Sequence, residues 1–359
     1  MVSIVTEPNL IDLAVQLFRL SDAEAEEFVL EARARVATTM WATGEYFTLA
    51  PLDSELALGA PRGRLCGPDQ PHAFSFEFDA QNRLRVAMNG TSFFRYSGDF
   101  VEQLRFDDAR ATRVAVARVY RRDAAGRIVQ FAGTNRSHTN FEATYAYNSV
   151  GLIDSVICSA SGWPSPQTYT VHHVGDVLDW IRLENTGELI YRRKTRSVPS
   201  LIASLRALLL RDITGWDSGA EPTLAIALAY NGDSPQELVP PWVLACPSEL
   251  AVSRTGEELF DPLLFTDSLD IVRELMFRPD TLAVASELRL ALRSGADIGR
   301  LVSMYRSLAR SLSKETADGD LFFYVAEYES GSTLESLKKS VNPQTLSRLK
   351  KLGLLPLKA

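Results

Sequence analysis

The stretch VYRRDAAGRI, residues 119–128, decides how the middle of this chain folds. Asp123 stands three positions before Gly126, and apolar or aromatic residues flank the pair. In a tight hairpin turn, an Asp or Asn at the first position accepts hydrogen bonds from backbone amides further along. Gly at the fourth position adopts the positive φ that closes the turn into a bulge. The stretch therefore predicts a β-hairpin.

Three further stretches share this spacing: FEFDAQNRL at 76–84, YAYNSVGLI at 145–153 and IRLENTGEL at 181–189. A solenoid keeps a constant period, whereas these four copies are unequally spaced. We therefore expect one antiparallel sheet built from related hairpins, and no catalytic role for the aligned polar residues. The predicted turn positions are Asp79 with Asn82, Asp123 with Gly126, Asn148 with Gly151, and Glu184 with Gly187.

The four stretches resemble the YD repeats of Rhs and teneurin-type proteins. The resemblance is local: YRRDAAGRI comes nearest to the Y-x-x-D-x-x-G-R-L pattern, and together the copies cover about a tenth of the chain. In that family the repeats wind into a β-shell around a toxic domain, which four irregular copies cannot build. The resemblance implies hairpin turns and an association with polymorphic toxins, and it carries over no catalytic residue.

The hydrophobic pattern outside the hairpins predicts an α+β protein. Before them, a capping box at Ser21 and Glu24 begins a helix on which Phe28, Ala32, Val36 and Met40 recur every four residues. After them the helical period returns, interrupted by buried strands at 223–230 and 321–328. We predict a helical N-terminal segment (1–60), an antiparallel β domain (61–198) and a helix-rich C-terminal domain (199–359).

Composition limits the classes of function. The chain has 359 residues, a net charge of −7 and three cysteines without metal-ligand spacing. This charge argues against nucleic acid as the partner, and the separated cysteines favour a reducing compartment. Neither a secretory signal nor a membrane span is visible. We expect a bacterial cytoplasmic protein without a cofactor or a metal.

The densest set of potential catalytic groups is VHHVGDVLDW, residues 171–180. His172, His173 and Asp176 could serve a metal-dependent hydrolase if the stretch were helical. On a strand, adjacent histidines point to opposite faces and cannot share one metal. Phosphate-binding glycine loops and a GxSxG elbow around Cys158 are absent from the sequence.

Two groups of polar residues suit binding. His138 lies in the polar segment GTNRSHTNFE, and a basic run follows the last hairpin at Arg192, Arg193, Lys194 and Arg196. A C-terminal helix–turn–helix pattern could instead make the chain a DNA-binding regulator through Gln344, Thr345, Ser347 and Arg348. We expect a non-enzymatic protein that binds another protein, such as a toxin or secreted effector, in an immunity or adaptor role. Its oligomeric state is left open.

Overall fold

A computed structural model describes residues 9–44, 46–108, 113–216, 223–231, 239–248, 251, 255–260, 273–292, 298–315, 321–328 and 333–355. The chain divides into two compact units: Met1–Asn185 with Ile190–Arg193, and Thr186–Leu189 with Lys194–Ala359. The division into segments 1–60, 61–198 and 199–359 stays a prediction. Within the first unit, the N-terminal helices bury their apolar faces on the central sheet.

The first unit is built on an antiparallel sheet of twelve strands, each hydrogen-bonded to the next in chain order. This sheet confirms the antiparallel structure predicted from the hairpin pattern. The strands are β1 (Thr38–Thr43), β2 (Ala73–Phe78), β3 (Leu84–Ala87), β4 (Ser92–Ser97), β5 (Phe100–Phe106), β6 (Val114–Arg122), β7 (Ile128–Asn135), β8 (Asn140–Tyr147), β9 (Ile153–Ala160), β10 (Gln167–Val174), β11 (Val177–Leu183) and β12 (Leu189–Arg192).

Three helices accompany this sheet: α1 (Leu10–Phe18), α2 (Asp22–Ala34) and α3 (Asp53–Leu58). The predicted capping box begins α2, where the Ser21 amide donates to Glu24 Oε2 at 2.8 Å. The helix ends at Ala34, so the extension through Val36 and Met40 is wrong. Residues 38–43 form strand β1 instead, because they pair antiparallel with β2. This tertiary pairing overrides the helical preference that the four-residue spacing indicated.

Three of the four predicted turns share one geometry. The Asp123 carboxylate accepts from the amides of Ala125 and Arg127 at 3.0 and 2.9 Å. Asp79 bonds residues 81 and 83 in the same way, and Asn148 bonds residues 150 and 152. The positions three residues on, Asn82, Gly126 and Gly151, all have positive φ.

The fourth predicted turn differs. Gly187 has the expected positive φ of 70°, but the longer Glu184 side chain accepts from the Thr170 hydroxyl across the sheet at 2.9 Å. The turn between β7 and β8 has the same geometry as the turns at Asp79, Asp123 and Asn148, but its sequence did not predict it. There Asn135 accepts from the amides of Ser137 and Thr139 at 3.0 and 3.1 Å. His138 takes the glycine position, with φ of 56°.

The second unit contains a four-stranded sheet in the order β15–β14–β13–β16. Strands β13 and β16 run parallel, and the other pairs are antiparallel. Its elements are α4 (Val198–Thr214), β13 (Thr223–Asn231), β14 (Trp242–Pro247), α5 (Glu257–Phe260), β15 (Arg273–Glu274), α6 (Pro279–Leu292), α7 (Ile298–Glu315), β16 (Phe322–Tyr328), α8 (Thr333–Ser340) and α9 (Pro343–Lys351).

The prediction of a helix-rich C-terminal half in an α+β protein is corrected by this second sheet. Successive residues of β13 are buried on opposite faces: Ile226 and Leu228 in a core with α4, α6 and α7, Ala225 and Ala227 in a core with α8 and α9. A strand buried on both faces has no period of two. The sequence therefore predicted two isolated strands, β13 and β16, but not the sheet to which both belong.

The sequence also predicts helix starts at Asn342 with Pro343, near residue 267, and at a capping box of Ser332 and Glu335. Of these, the start at Asn342 is confirmed by α9. The Asn342 side chain accepts from the Thr345 amide at 2.8 Å, and Pro343 occupies the first turn. The predicted helix start near residue 267 and the capping box at Ser332 lie outside the described residues. Among the residues that the structure describes, no helix combines the length and the apolar character needed to cross a membrane.

Candidate binding surface

One face of the twelve-stranded sheet is covered over β3–β7 by α1 and α2. Side chains alternate between the faces along a strand, and directly paired residues share a face. The register places four buried residues in one row on this face: Val86, Phe93, Leu104 and Ala117. Buried Ala132 lies on the same face, as the partner of Val119. They form a common core with Leu10, Ala14 and Leu17 of α1 and with Ala25, Phe28 and Ala32 of α2.

The same face continues uncovered across β8–β11. Thr144 of β8 pairs with Ile157 of β9, which pairs with Thr168 of β10. Thr170 of β10 pairs with Arg182 of β11, so all of these residues share the face. Three large apolar side chains on it are exposed: Ile157 by 47%, Val174 by 63% and Val177 by 37%. We call this surface the open face and define it by Thr144, Ala146, Ile157, Thr168, Thr170, His172, Val174, Val177, Trp180 and Arg182.

An aromatic and cationic stack lies on β10 and β11 within the open face. The His172 ring lies parallel to the Trp180 ring, with centroids 4.9 Å apart and planes 7° apart. The Arg182 guanidinium lies 4.8 Å from the centroid of the same indole. The His172 Nδ1 atom is 3.6 Å from a carboxylate oxygen of Asp179. These contacts hold a flat aromatic group at the surface, flanked by Arg182 and Asp179.

The structure separates the proposed catalytic histidines. His172 pairs with Trp180 and faces outward with it, while His173 pairs with Leu178 on the opposite face. Burial lowers the pKa of His173, and the neighbouring His172 adds to this shift. Asp176 lies in the turn between β10 and β11, beside Gly175 at φ of 65°. Within the described ranges, no group of three or more His, Cys, Asp or Glu side chains is placed to hold a metal ion.

The other candidate residues are dispersed. His138 occupies the left-handed position of the β7–β8 turn. Arg192 and Arg193 belong to the first unit, and Lys194 and Arg196 to the second. Arg196 pairs with buried Glu287, donating to its carboxylate from the backbone at 2.8 Å and from Nη2 at 3.0 Å. The basic run therefore does not form one surface within either unit.

The C-terminal helices pack on the second sheet. Leu337 of α8 and Leu349 of α9 are buried in one core with Phe322 and Tyr324 of β16. Gln344 and Ser347 are exposed on α9, whereas Thr345 and Arg348 are partly buried. The proposed DNA-contacting residues thus differ in their access to solvent, and a regulator function stays a prediction.

Comparisons with known proteins give no family. No family model and no curated protein matches the chain. A crystal structure of TarM aligns with 55% of this chain and 28% of its own, at 7% identity and a TM-score of 0.15. A Staphylococcus aureus TarM variant in complex with fondaparinux, α-GlcNAc-glycerol and UDP aligns with 56% and 35%, at 8% identity and 0.16. The chain spans about a third of these proteins, and the similarity is too low to indicate a shared fold.

Proposed function

We propose that this chain is a non-enzymatic binding protein whose protein partner docks on the open face. The observation that carries the proposal is the exposure of Ile157, Val174 and Val177 on one side of the sheet. Val174 and Val177 are paired neighbours beside the β10–β11 turn, and Ile157 lies on β9 opposite Thr168, six residues along β10 from Val174. Apolar side chains exposed on one face of a sheet are the feature that interaction sites share. The open face lies beside the half of the sheet that α1 and α2 cover, and it presents these side chains without any rearrangement of the backbone.

The residues of the open face indicate which kind of partner surface would fit it. Trp180 and Arg182 are residue types that often dominate binding energy at interfaces. Thr144, Thr168 and Thr170 are short and leave the face flat, and the His172 ring lies beside the Asp179 carboxylate. A complementary partner would be flat and largely apolar, such as a second sheet or the apolar side of a helix.

The immunity or adaptor role is the narrower form of this proposal, with a toxin or secreted effector as the partner. It is supported by the resemblance of the hairpins to YD repeats. Coexpression with the toxin of a neighbouring gene tests it, because protection by the wild-type chain and loss of protection by an open-face variant are both expected. A wild-type chain that gives no protection would contradict this narrower role while leaving protein binding open.

Affinity capture from the native cell tests the general proposal. We expect a specific protein to be retained by the wild-type chain and lost with Ile157→Glu, which places a charge in the middle of the open face. Leu30→Glu is the matched control, because Leu30 of α2 is 60% exposed on the helix that covers the other half. A partner retained equally by both variants would contradict docking on the open face.

A further inference from the structure

The opposite face of the sheet contains an aromatic cavity of about 350 Å³ between α3 and strands β7–β10. Its volume falls in the range of small-molecule sites, which are concave and mostly apolar with a few polar groups. Five aromatic side chains contribute to the lining, and Trp163 at its rim is 43% exposed: Phe131, Phe141, Tyr145, Trp163 and Tyr169. The cavity belongs entirely to the first unit.

Tyr145 supplies a hydroxyl that lines the cavity and makes no hydrogen bond to the described residues. The residue is only 5% exposed and lines the cavity. Neighbouring tyrosines use their hydroxyls: Tyr120 donates to Gln103 at 2.5 Å, and Tyr147 donates to the Ile128 carbonyl at 2.7 Å. No hydrogen bond from the Tyr145 hydroxyl is found among the described residues. Because this hydroxyl is not among the fully buried atoms without a partner, it is accessible from the cavity and available to a ligand.

Asp53 is the second polar group at the cavity. It is the first residue of α3, and one carboxylate oxygen accepts from Arg118 Nη1 at 3.1 Å. Burial raises the pKa of the Tyr145 phenol well above its ordinary value, and the Asp53 charge adds to that shift. Asp53 and Tyr145 both line the cavity. A ligand hydroxyl could accept from the tyrosine and donate to the carboxylate.

The charges around the cavity favour a neutral ligand. The Arg118 guanidinium is paired with Asp53 and lies 5.7 Å from the Phe131 ring and 5.4 Å from the Phe141 ring. Arg118 therefore offsets the charge of Asp53. The other carboxylate of the lining, Glu142, accepts from the Ser159 hydroxyl at 2.8 Å, and it disfavours an anionic ligand. Burial raises the pKa of the Cys158 thiol to about 12, so this lining group is neutral near pH 7 and is not a nucleophile.

We propose that the cavity binds a neutral aromatic small molecule bearing a hydroxyl group. The ring packs among the aromatic walls, and the hydroxyl hydrogen-bonds with Tyr145 and Asp53. This site lies on the face opposite to the open face and does not depend on protein docking. Each proposal can therefore fail without the other.

Direct binding of three probes tests this site: phenol, toluene and benzoate. Saturation-transfer NMR reports binding to the whole chain. We expect phenol to bind most tightly, toluene to bind about three- to tenfold more weakly because it forgoes a hydrogen bond, and benzoate to bind weakest. Equal affinities of phenol and toluene, or no saturable binding of phenol, would overturn the proposal.

Two variants locate the binding site. Tyr145→Phe removes the free hydroxyl and should lower the phenol affinity to that of toluene without changing toluene binding. Tyr147→Phe is the matched control on the same strand, because its hydroxyl is already used by Ile128. Ala160→Phe should abolish binding of both probes by filling the rim, where Ala160 is partly exposed and overpacking is limited. Equal losses in both tyrosine variants, or phenol binding retained in Ala160→Phe, would contradict the site.

Discussion

The two halves of one sheet face differ in what covers them. Over β3–β7 the face is apolar, and Phe93 and Leu104 lie beneath α1 and α2 with at most 3% of their surface exposed. Over β8–β11 the same face has rows of threonine around Ile157, which is 47% exposed. The backbone pairing is alike in both halves. Side-chain composition therefore decides where the helices pack and leaves an interaction surface beside them.

The largest expected effect concerns the β2–β3 hairpin, where Val86 of β3 lies beneath the helices and the neighbouring Arg85 points to the opposite face. Asp79 accepts from both the Arg83 and the Arg85 Nε atoms at 2.8 Å, and Arg85 is only 1% exposed. Asp79→Ala leaves this guanidinium buried without its carboxylate and should lower the free energy of unfolding by about 4 kcal/mol. Urea denaturation measures the loss. Asp79→Leu combined with Arg85→Met should recover much of it, and no recovery would argue against an uncompensated charge as the cause.

The pH dependence of the Asp79 contribution has a definite sign. Burial alone would raise the pKa of Asp79, but hydrogen bonds from the Arg83 backbone and from both arginine side chains outweigh it and lower the pKa. A lowered folded-state pKa gives stability that is complete above the unfolded value, near 4, and is lost as the pH falls through the folded value. The difference between wild type and Asp79→Ala should thus hold at pH 6 and shrink below about pH 4. An unchanged difference at pH 3 would contradict this account.

Truncation of a helix residue in the covered half should cost almost as much. Phe28 of α2 is 1% exposed, and the Arg95 guanidinium lies 4.7 Å from its ring centroid. Phe28→Ala should lower the free energy of unfolding by about 3 kcal/mol through lost burial and the cavity left behind. Hydrogen exchange should show the increase in amide opening on β3–β7. An increase confined to β8–β11 would show that the helices do not stabilise the strands beneath them.

The β8–β9 hairpin in the open half has the same turn geometry as the β2–β3 hairpin and serves as its comparison. Asn148 makes two backbone hydrogen bonds, to Val150 and Leu152 at 3.1 and 3.0 Å, and holds no buried charge. Asn148→Ala should therefore cost about 1 kcal/mol in the free energy of unfolding. A cost equal to that of Asp79→Ala would mean that turn geometry, rather than the buried arginine, separates the two hairpins.

The smallest expected effect lies at the centre of the open face. Ile157→Ala removes a side chain that is already half exposed and should change the free energy of unfolding by less than about 1 kcal/mol. Its effect on partner capture should be large by comparison. A stability loss as large as that of Phe28→Ala would mean that Ile157 belongs to the core and not to an interaction surface.

Local patterns predicted the local structure well. The Asp-x-x-Gly spacing located the turns at Asp79, Asp123 and Asn148 because side-chain-to-backbone bonds act within four residues. The Asn135 turn escaped notice because His138 stands where glycine was expected. It could have been found from Asn135, which has the same spacing to the following strand.

Structure that depends on distant partners was harder to predict. Residues 38–43 carried a helical spacing, yet pairing with β2 made them a strand. Neither the exposure of Ile157 nor the cavity at Tyr145 leaves a signal in the sequence, because both depend on which strands the helices cover. The separation of His172 from His173 was predictable, since alternation along a strand is a local property.

Photo-crosslinking in the native cell tests the central claim most directly. A photoreactive phenylalanine analogue replaces Ile157 on the open face in one variant and Leu30 on α2 in another; both positions are exposed and tolerate a large side chain. The account predicts a discrete covalent adduct with one protein from position 157 and none from position 30. The same adduct from both positions, or an adduct from position 30 alone, would contradict docking on the open face.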